Sequence, residues 1–213
     1  MFQKSFGTSG VNAIGSFQLS QLNSSSVKSK LKAAGINTNS KQYKAAVKQM
    51  MSAGNGAMYG NIQGIKNLMS HYDKDGDYIN PVNGLAGLLV TDENESSRKR
   101  IISIPDSSKE EMYELTKKEF LRENGVCNGD TTKRTDVYNN LYRKMSKKDR
   151  LAAGYTLEKY ERIYRQAFYD AAKKADPNWE IGKPIKAGAL DDVTRETAET
   201  GKSPAQATLD TKI

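Results

Sequence analysis

The sequence predicts a mainly α protein: a single irregular helical domain with at most a short two-stranded hairpin, and flexible N- and C-terminal tails. Three observations carry that expectation. Several stretches repeat apolar residues every three or four positions, most of them open on a Ser, Thr, Asn or Asp and close on a glycine, and only one stretch has a strand-like pattern. The expected division is residues 1–26 as a flexible arm, 27–199 as the helical domain and 200–213 as a disordered tail.

The arm is Ser, Gly, Gln and Asn with scattered Phe and Leu, a composition with little to bury. VKSKLKAAG then reads as a short helix closed by Gly35. KQYKAAVKQMMSAG follows, capped by Asn39 or Ser40 and stopped by Gly54 and Gly56, with Tyr43, Val47, Met50 and Met51 on one face. NIQGIKNLMSHY spaces Ile62, Ile65, Leu68, Met69 and Tyr72 helically and delivers the chain into an aspartate-rich loop. Between Leu85 and Pro105 the segments LAGLLV and RIISI flank the polar TDENESS, which suits a short hairpin packed on a helix.

Ser107 and Glu110 have capping-box spacing at the start of SKEEMYELTKKEFLREN, whose Met112, Leu115 and Phe120 point inward and which Gly125 ends. The next helix begins at Asp130, Thr131 or Thr132 and puts Val137, Tyr138, Leu141, Tyr142 and Met145 on one stripe. A longer helix, capped by Thr156, sets Leu157, Tyr160, Ile163, Tyr164, Ala167, Phe168 and Ala171 on a continuous face. After Asp176-Pro177 the chain reads as extended, with Trp179 pinning it to the helical body, until a short helix near Leu190 to Glu199.

With 37% apolar and 27% charged residues the chain can bury one modest core, and it has no apolar run long enough to span a bilayer. The single cysteine, Cys127, rules out an internal disulfide framework and a multi-cysteine metal site. The first residues break every apolar stretch before a signal-peptide core forms, so the expected location is cytoplasmic, with export by another route as an alternative. The net charge of +8 is concentrated: residues 1–72 hold eight lysines, no arginine and no acid. Such a segment suits an anionic partner, but without clustered arginines or interleaved aromatics nucleic acid is not the expected one.

One loop offers definable chemistry. In SHYDKDGDYINPVNG, Asp73, Asp75 and Asp77 occupy positions 1, 3 and 5 of an EF-hand-like calcium loop. The rest departs from that pattern, since position 6 is Tyr78 instead of glycine and position 12 is Gly84 instead of a bidentate glutamate. Three neighbouring carboxylates repel unless a cation or solvent screens them, so these residues are the candidate metal ligands and Ca²⁺ the candidate cofactor. Asp92, Glu93 or Glu95 are the acids that could complete the shell. The competing reading is an exposed turn whose aspartates accept backbone N–H groups.

Nothing else suggests catalysis. Cys127 and the sole histidine, His71, are far apart in sequence and carry no signature, and there is no nucleophile elbow, phosphate loop or HExxH. The basic run RKMSKKDR reads as a solvated helix junction, neutralised by Asp149 and by neighbours such as Glu158 and Glu161.

The segments GINTNSKQYKAAVKQMM, GNGAMYGNIQGIKNLMSHYDKDGDYINPVNGLAGL, RIISIPDSSKEEMY, NGDTTKRTDVYNNL and DPNWEIGKPIKAGALDDVTRE resemble an uncharacterised domain-of-unknown-function family of gut Firmicutes, over roughly residues 35 to 197. The resemblance implies a bacterial protein and brings no activity, cofactor or catalytic residue. The expected function is a non-catalytic interaction or structural module that presents a helical surface to an unidentified protein partner. The alternatives are an export- or filament-associated protein whose arm is an uncleaved secretion signal, and a nucleic-acid binder acting through the lysine-rich first third.

Overall fold

The computed structural model describes residues 16–53, 59–126 and 129–201. They are mainly helical, as expected. In place of one core there are two clusters of buried side chains, and the chain divides into two compact units, Met1–Ala86 and Gly87–Ile213. The expectation of Cys127, and the glycine stops at 54 and 56, lie outside the described residues.

The first unit opens earlier than composition suggested. Residues 16–26, assigned to the flexible arm, are ordered: β1 (Phe17–Gln18) pairs antiparallel with β2 (Tyr59–Gly60), and a 3-10 turn over Leu19–Gln21 follows. The reason is position, since Phe17, Leu19 and Leu22 all turn inward and are 3–4% exposed. A polar average over the segment hides three apolar residues that share one side.

Helix α1 (Ser25–Ala33) begins where the Ser24 hydroxyl accepts the Val27 N–H and ends at Gly35, whose φ of +80° returns Ile36 to the core. In α2 (Lys41–Ala53) the Ser40 hydroxyl accepts the Tyr43 N–H at 3.1 Å. Tyr43 and Ala46 are buried and Val47 and Met50 pack beside them, whereas Met51, expected to face inward, is 43% exposed. Helix α3 (Ile62–Met69) starts at Asn61, whose Oδ1 accepts the Gly64 N–H at 2.7 Å, and buries Ile65 completely.

The hairpin expected over 85–105 does not form. Residues 92–99 are successive turns, held partly by Asn94, which accepts the Thr91 N–H and donates to the Leu89 carbonyl. Leu89, Val90 and Ile101 stay exposed, so the two arms have no shared buried face on which to pair; Ile104 is buried in the second core and Ile102 packs against it. The strand pair of the fold is β1–β2 instead.

The second unit is built on α4 (Asp106–Arg122), α5 (Thr131–Lys144), α6 (Arg150–Ala175) and α7 (Arg195–Thr200). Two starts differ from expectation. At α4 the cap is Pro105, with no side-chain cap bond, so the Ser107/Glu110 box is not used and Glu110 instead pairs with Arg195 at 2.8 Å. At α6 the helix begins six residues before Thr156, which is 1% exposed and interior: its hydroxyl donates to the Ala152 carbonyl and accepts the Ile102 N–H. A helical threonine can return its hydroxyl to the preceding turn, and here that makes the residue a tether for 102 instead of a start signal.

Met112, Tyr113, Phe120, Val137, Leu141, Leu157, Tyr164 and Phe168 form the centre of this core. Trp179 pins the segment after α6 as expected: it is 2% exposed, lies 6.0 Å from Phe120 and donates its indole N–H to the Lys183 carbonyl at 2.8 Å. Gly125, at φ +82°, ends α4 directly beneath it, and a Cβ there would stand 2.9 Å from the indole.

A polar network unseen in sequence lies between α4, α5 and α6. Glu119 is 2% exposed; Arg134 meets its Oε2 at 2.5 Å and Arg165 stands 3.5 Å away. Both guanidinium groups also reach Glu161, Arg134 at 3.4 Å and Arg165 at 3.1 Å. Glu161 therefore serves this network and not the basic run, while Glu158 pairs with Arg162. Within the run Lys144 pairs with Glu111 at 3.3 Å, while the run's own Asp149 accepts Arg100, which lies outside it, at 2.8 Å.

The Tyr113 hydroxyl donates to the Val193 carbonyl, and burial pushes its pKa up to about 12. An unfolded tyrosine titrates near 10, so the folded state favours the protonated phenol, and that contribution is complete below about pH 10 and lost as pH rises toward 12. Burial also raises Tyr138 and Tyr164, with the same sign. Urea midpoints followed by Trp179 fluorescence should therefore fall across that window; a flat alkaline profile contradicts the assignment.

Candidate cation-binding loop

The aspartate loop begins where α3 ends. Gln42, on α2, donates its amide hydrogens to the Met69 and Tyr72 carbonyls at 2.9 and 2.8 Å, and so adds a second donor to Met69, which already accepts the Tyr72 N–H. The Tyr72 hydroxyl donates to Gln49 at 2.7 Å, a second tie to α2. Tyr72 then bridges Tyr78 in antiparallel fashion, with the two rings edge to face at 5.9 Å, and the Ile79 N–H reaches the His71 carbonyl at 2.8 Å. The five residues 73–77 are thus closed at both ends.

Inside that closure the loop folds around Asp73. Its N–H donates to the Asp77 carbonyl, and its Oδ1 accepts the N–H groups of Asp75 and Asp77, all at 2.9 Å. Gly76 makes the turn with φ +85°, and a Cβ there would come within 3.1 Å of the Lys41 carbonyl. The sequence pattern asks for glycine at position 6; here the turn comes two residues earlier, which is why Tyr78 is tolerated at that place.

Asp73, Asp75 and Asp77 each offer one oxygen, and these oxygens lie within 4.8 Å of one another. Oxygens bound to one Ca²⁺ at about 2.3–2.6 Å can be no more than about 5 Å apart, so the three can share an ion. The local turn and a cation are compatible, because a carboxylate has about four acceptor positions and the Asp75 and Asp77 N–H groups both meet one oxygen of Asp73.

The remaining positions do not complete an EF-hand. Gly84 stands where the closing acid would fall; beside it Asn83 uses its Oδ1 to accept the Leu85 N–H at 3.0 Å, and Asn80 likewise accepts the Val82 N–H at 2.9 Å. Asp92, Glu93 and Glu95 belong to the second unit. Further ligands from the loop itself are therefore backbone carbonyls or water. His71 is exposed just after α3.

A groove of about 660 Å³ lies in the second unit, lined by Tyr138, Tyr142 and Tyr155 together with Arg98, Lys99 and Arg162. Sequence pattern treats Tyr138 and Tyr142 as core alone. Their half-burial reflects a helix stripe slightly wider than the surface that covers it.

No helix among the described residues is long and apolar enough to cross a membrane. None of the curated proteins and none of the solved structures matches the chain. A family model described as a domain of unknown function, DUF3879, matches residues 36–213, and the chain belongs to that family.

Proposed function

We propose that this chain is a non-catalytic bacterial interaction module in which Ca²⁺, held by Asp73, Asp75 and Asp77, stiffens a loop clamped to α2 while the helical surface meets a protein partner. The bacterial origin rests on the sequence resemblance. The convergence of the three carboxylates carries the cation reading, because their mutual repulsion is relieved by a shared divalent ion. The non-catalytic reading rests on the sequence, in which His71 and Cys127 carry no catalytic signature. With no bidentate acid, the affinity expected is that of weak oxygen-ligand sites, about 10⁻⁴–10⁻³ M.

Ligand binding to the native state must raise its stability, by about 2.7 kcal/mol at a hundredfold excess over the dissociation constant. Thermal unfolding in excess calcium should therefore occur at a higher temperature than in chelator, with the difference removed by Asp75→Asn, which leaves the Asp73 hydrogen bonds in place. Identical midpoints for the unaltered chain under both conditions would remove the calcium reading.

A further inference from the structure

We propose that the outward face of α2 docks onto anionic lipid headgroups at a membrane surface. The helix sets Lys41, Lys44 and Lys48 three and four residues apart, on the side away from the buried Tyr43 and Ala46, and all three are exposed. None makes an ion pair among the described residues, and the whole first unit has no acids besides the three of the aspartate loop.

The fold gains nothing from this placement. Like charges at three- and four-residue spacing repel, and Lys41 and Lys44 lie at the positive end of the helix dipole, in a first turn that carries no acid of its own. The same chain places charge favourably elsewhere: α1 carries Lys30 and Lys32 in its last turn, and α4 has Asp106 in its first turn and Arg122 in its last. A stripe that works against its own helix and is left without partners suits an external anion.

The type of cation selects the kind of anion. The first unit contains no arginine, and the α2 stripe contains no aromatic side chain, so it lacks the planar forks and stacking faces with which proteins hold nucleic-acid strands. Lysine is a flexible point charge and needs only a plane of negative headgroups. Met51, 43% exposed, continues the stripe and adds an apolar contact at its end.

The test is co-sedimentation of the full chain with phosphatidylglycerol vesicles, with phosphatidylcholine vesicles as the neutral comparison and duplex DNA at the same ionic strength as a competing polyanion. Each lysine near such a surface is worth about fivefold in partition, so Lys41→Gln/Lys44→Gln/Lys48→Gln should weaken binding to the anionic vesicles about a hundredfold. Glutamine has nearly the helix propensity of lysine, so the circular dichroism of the triple variant should be unchanged. Lys118→Gln/Lys133→Gln/Lys174→Gln, exposed lysines of the second unit, should retain binding. Failure to bind anionic vesicles, equal loss in both triple variants, or tighter capture of duplex DNA than of vesicles overturns the proposal.

Discussion

Replacing Phe168 by alanine lowers the unfolding free energy of the second unit by about 3–5 kcal/mol. Phe168 is fully buried in the C-terminal third of α6, with its ring 5.5 Å from Tyr113 and 5.7 Å from Phe120. Deleting it removes the apolar transfer gain and leaves a cavity between α4 and α6, the pair of helices that forms the heart of this core. The two aromatic contacts are lost as well, each worth about 0.5–1.5 kcal/mol beyond area. Urea denaturation followed by Trp179 fluorescence reads the effect directly, because the chain's only tryptophan packs on Phe120. A change below about 1 kcal/mol would mean that the α6 stripe is not the spine of the unit.

Arg134→Ala is expected to cost about 3 kcal/mol in the same measurement. The substitution takes from the buried Glu119 carboxylate its nearest cation, at 2.5 Å, and leaves only Arg165 at 3.5 Å. The other Glu119 oxygen, Oε1, has no hydrogen-bond partner among the described residues, so the site has little capacity to absorb the loss. Converting both partners, Glu119→Leu with Arg134→Leu, removes the desolvated charge along with its counter-ion and should recover most of the stability, a strongly non-additive cycle. If the double variant is as unstable as the sum of the singles, the two residues do not act as a pair.

The helices were legible in the sequence because each has a stripe and a stop. Gly35 and Gly125 end α1 and α4 as their spacing implies, and the Leu157, Tyr164 and Phe168 stripe lies at the centre of its core. Starts were harder to read. Thr156 has the residue type of a cap, yet a buried threonine can bond its own preceding turn, and the distinction depends on tertiary packing.

The separation into two cores was not visible, since helical periodicity says which face is buried and not which partner buries it. The ordered strand at Phe17 was hidden by the polar residues around it. Pairs such as Glu119 with Arg134 and Arg165 are far apart in the chain and belong to helices whose exposed faces are equally charged, so no local signal distinguishes them.

Of the candidate site, the three aspartates and their alternation were legible, and so was the absence of a closing acid. The turn at Gly76 and the clamp from Gln42 and Gln49 were not, because both depend on α2 lying beside the end of α3. That clamp holds a loop of like charges in one conformation, which is what a weak ion site needs in order to bind at all.

Terbium substitutes for calcium at oxygen-ligand sites and emits when a nearby excited tyrosine transfers energy to it, and Tyr72 and Tyr78 flank the aspartates on either side. Titrating the full chain with Tb³⁺ under tyrosine excitation should give saturable green emission that Ca²⁺ displaces and that Asp73→Asn/Asp75→Asn abolishes. Emission that is absent, or that survives this double substitution unchanged, would contradict the account.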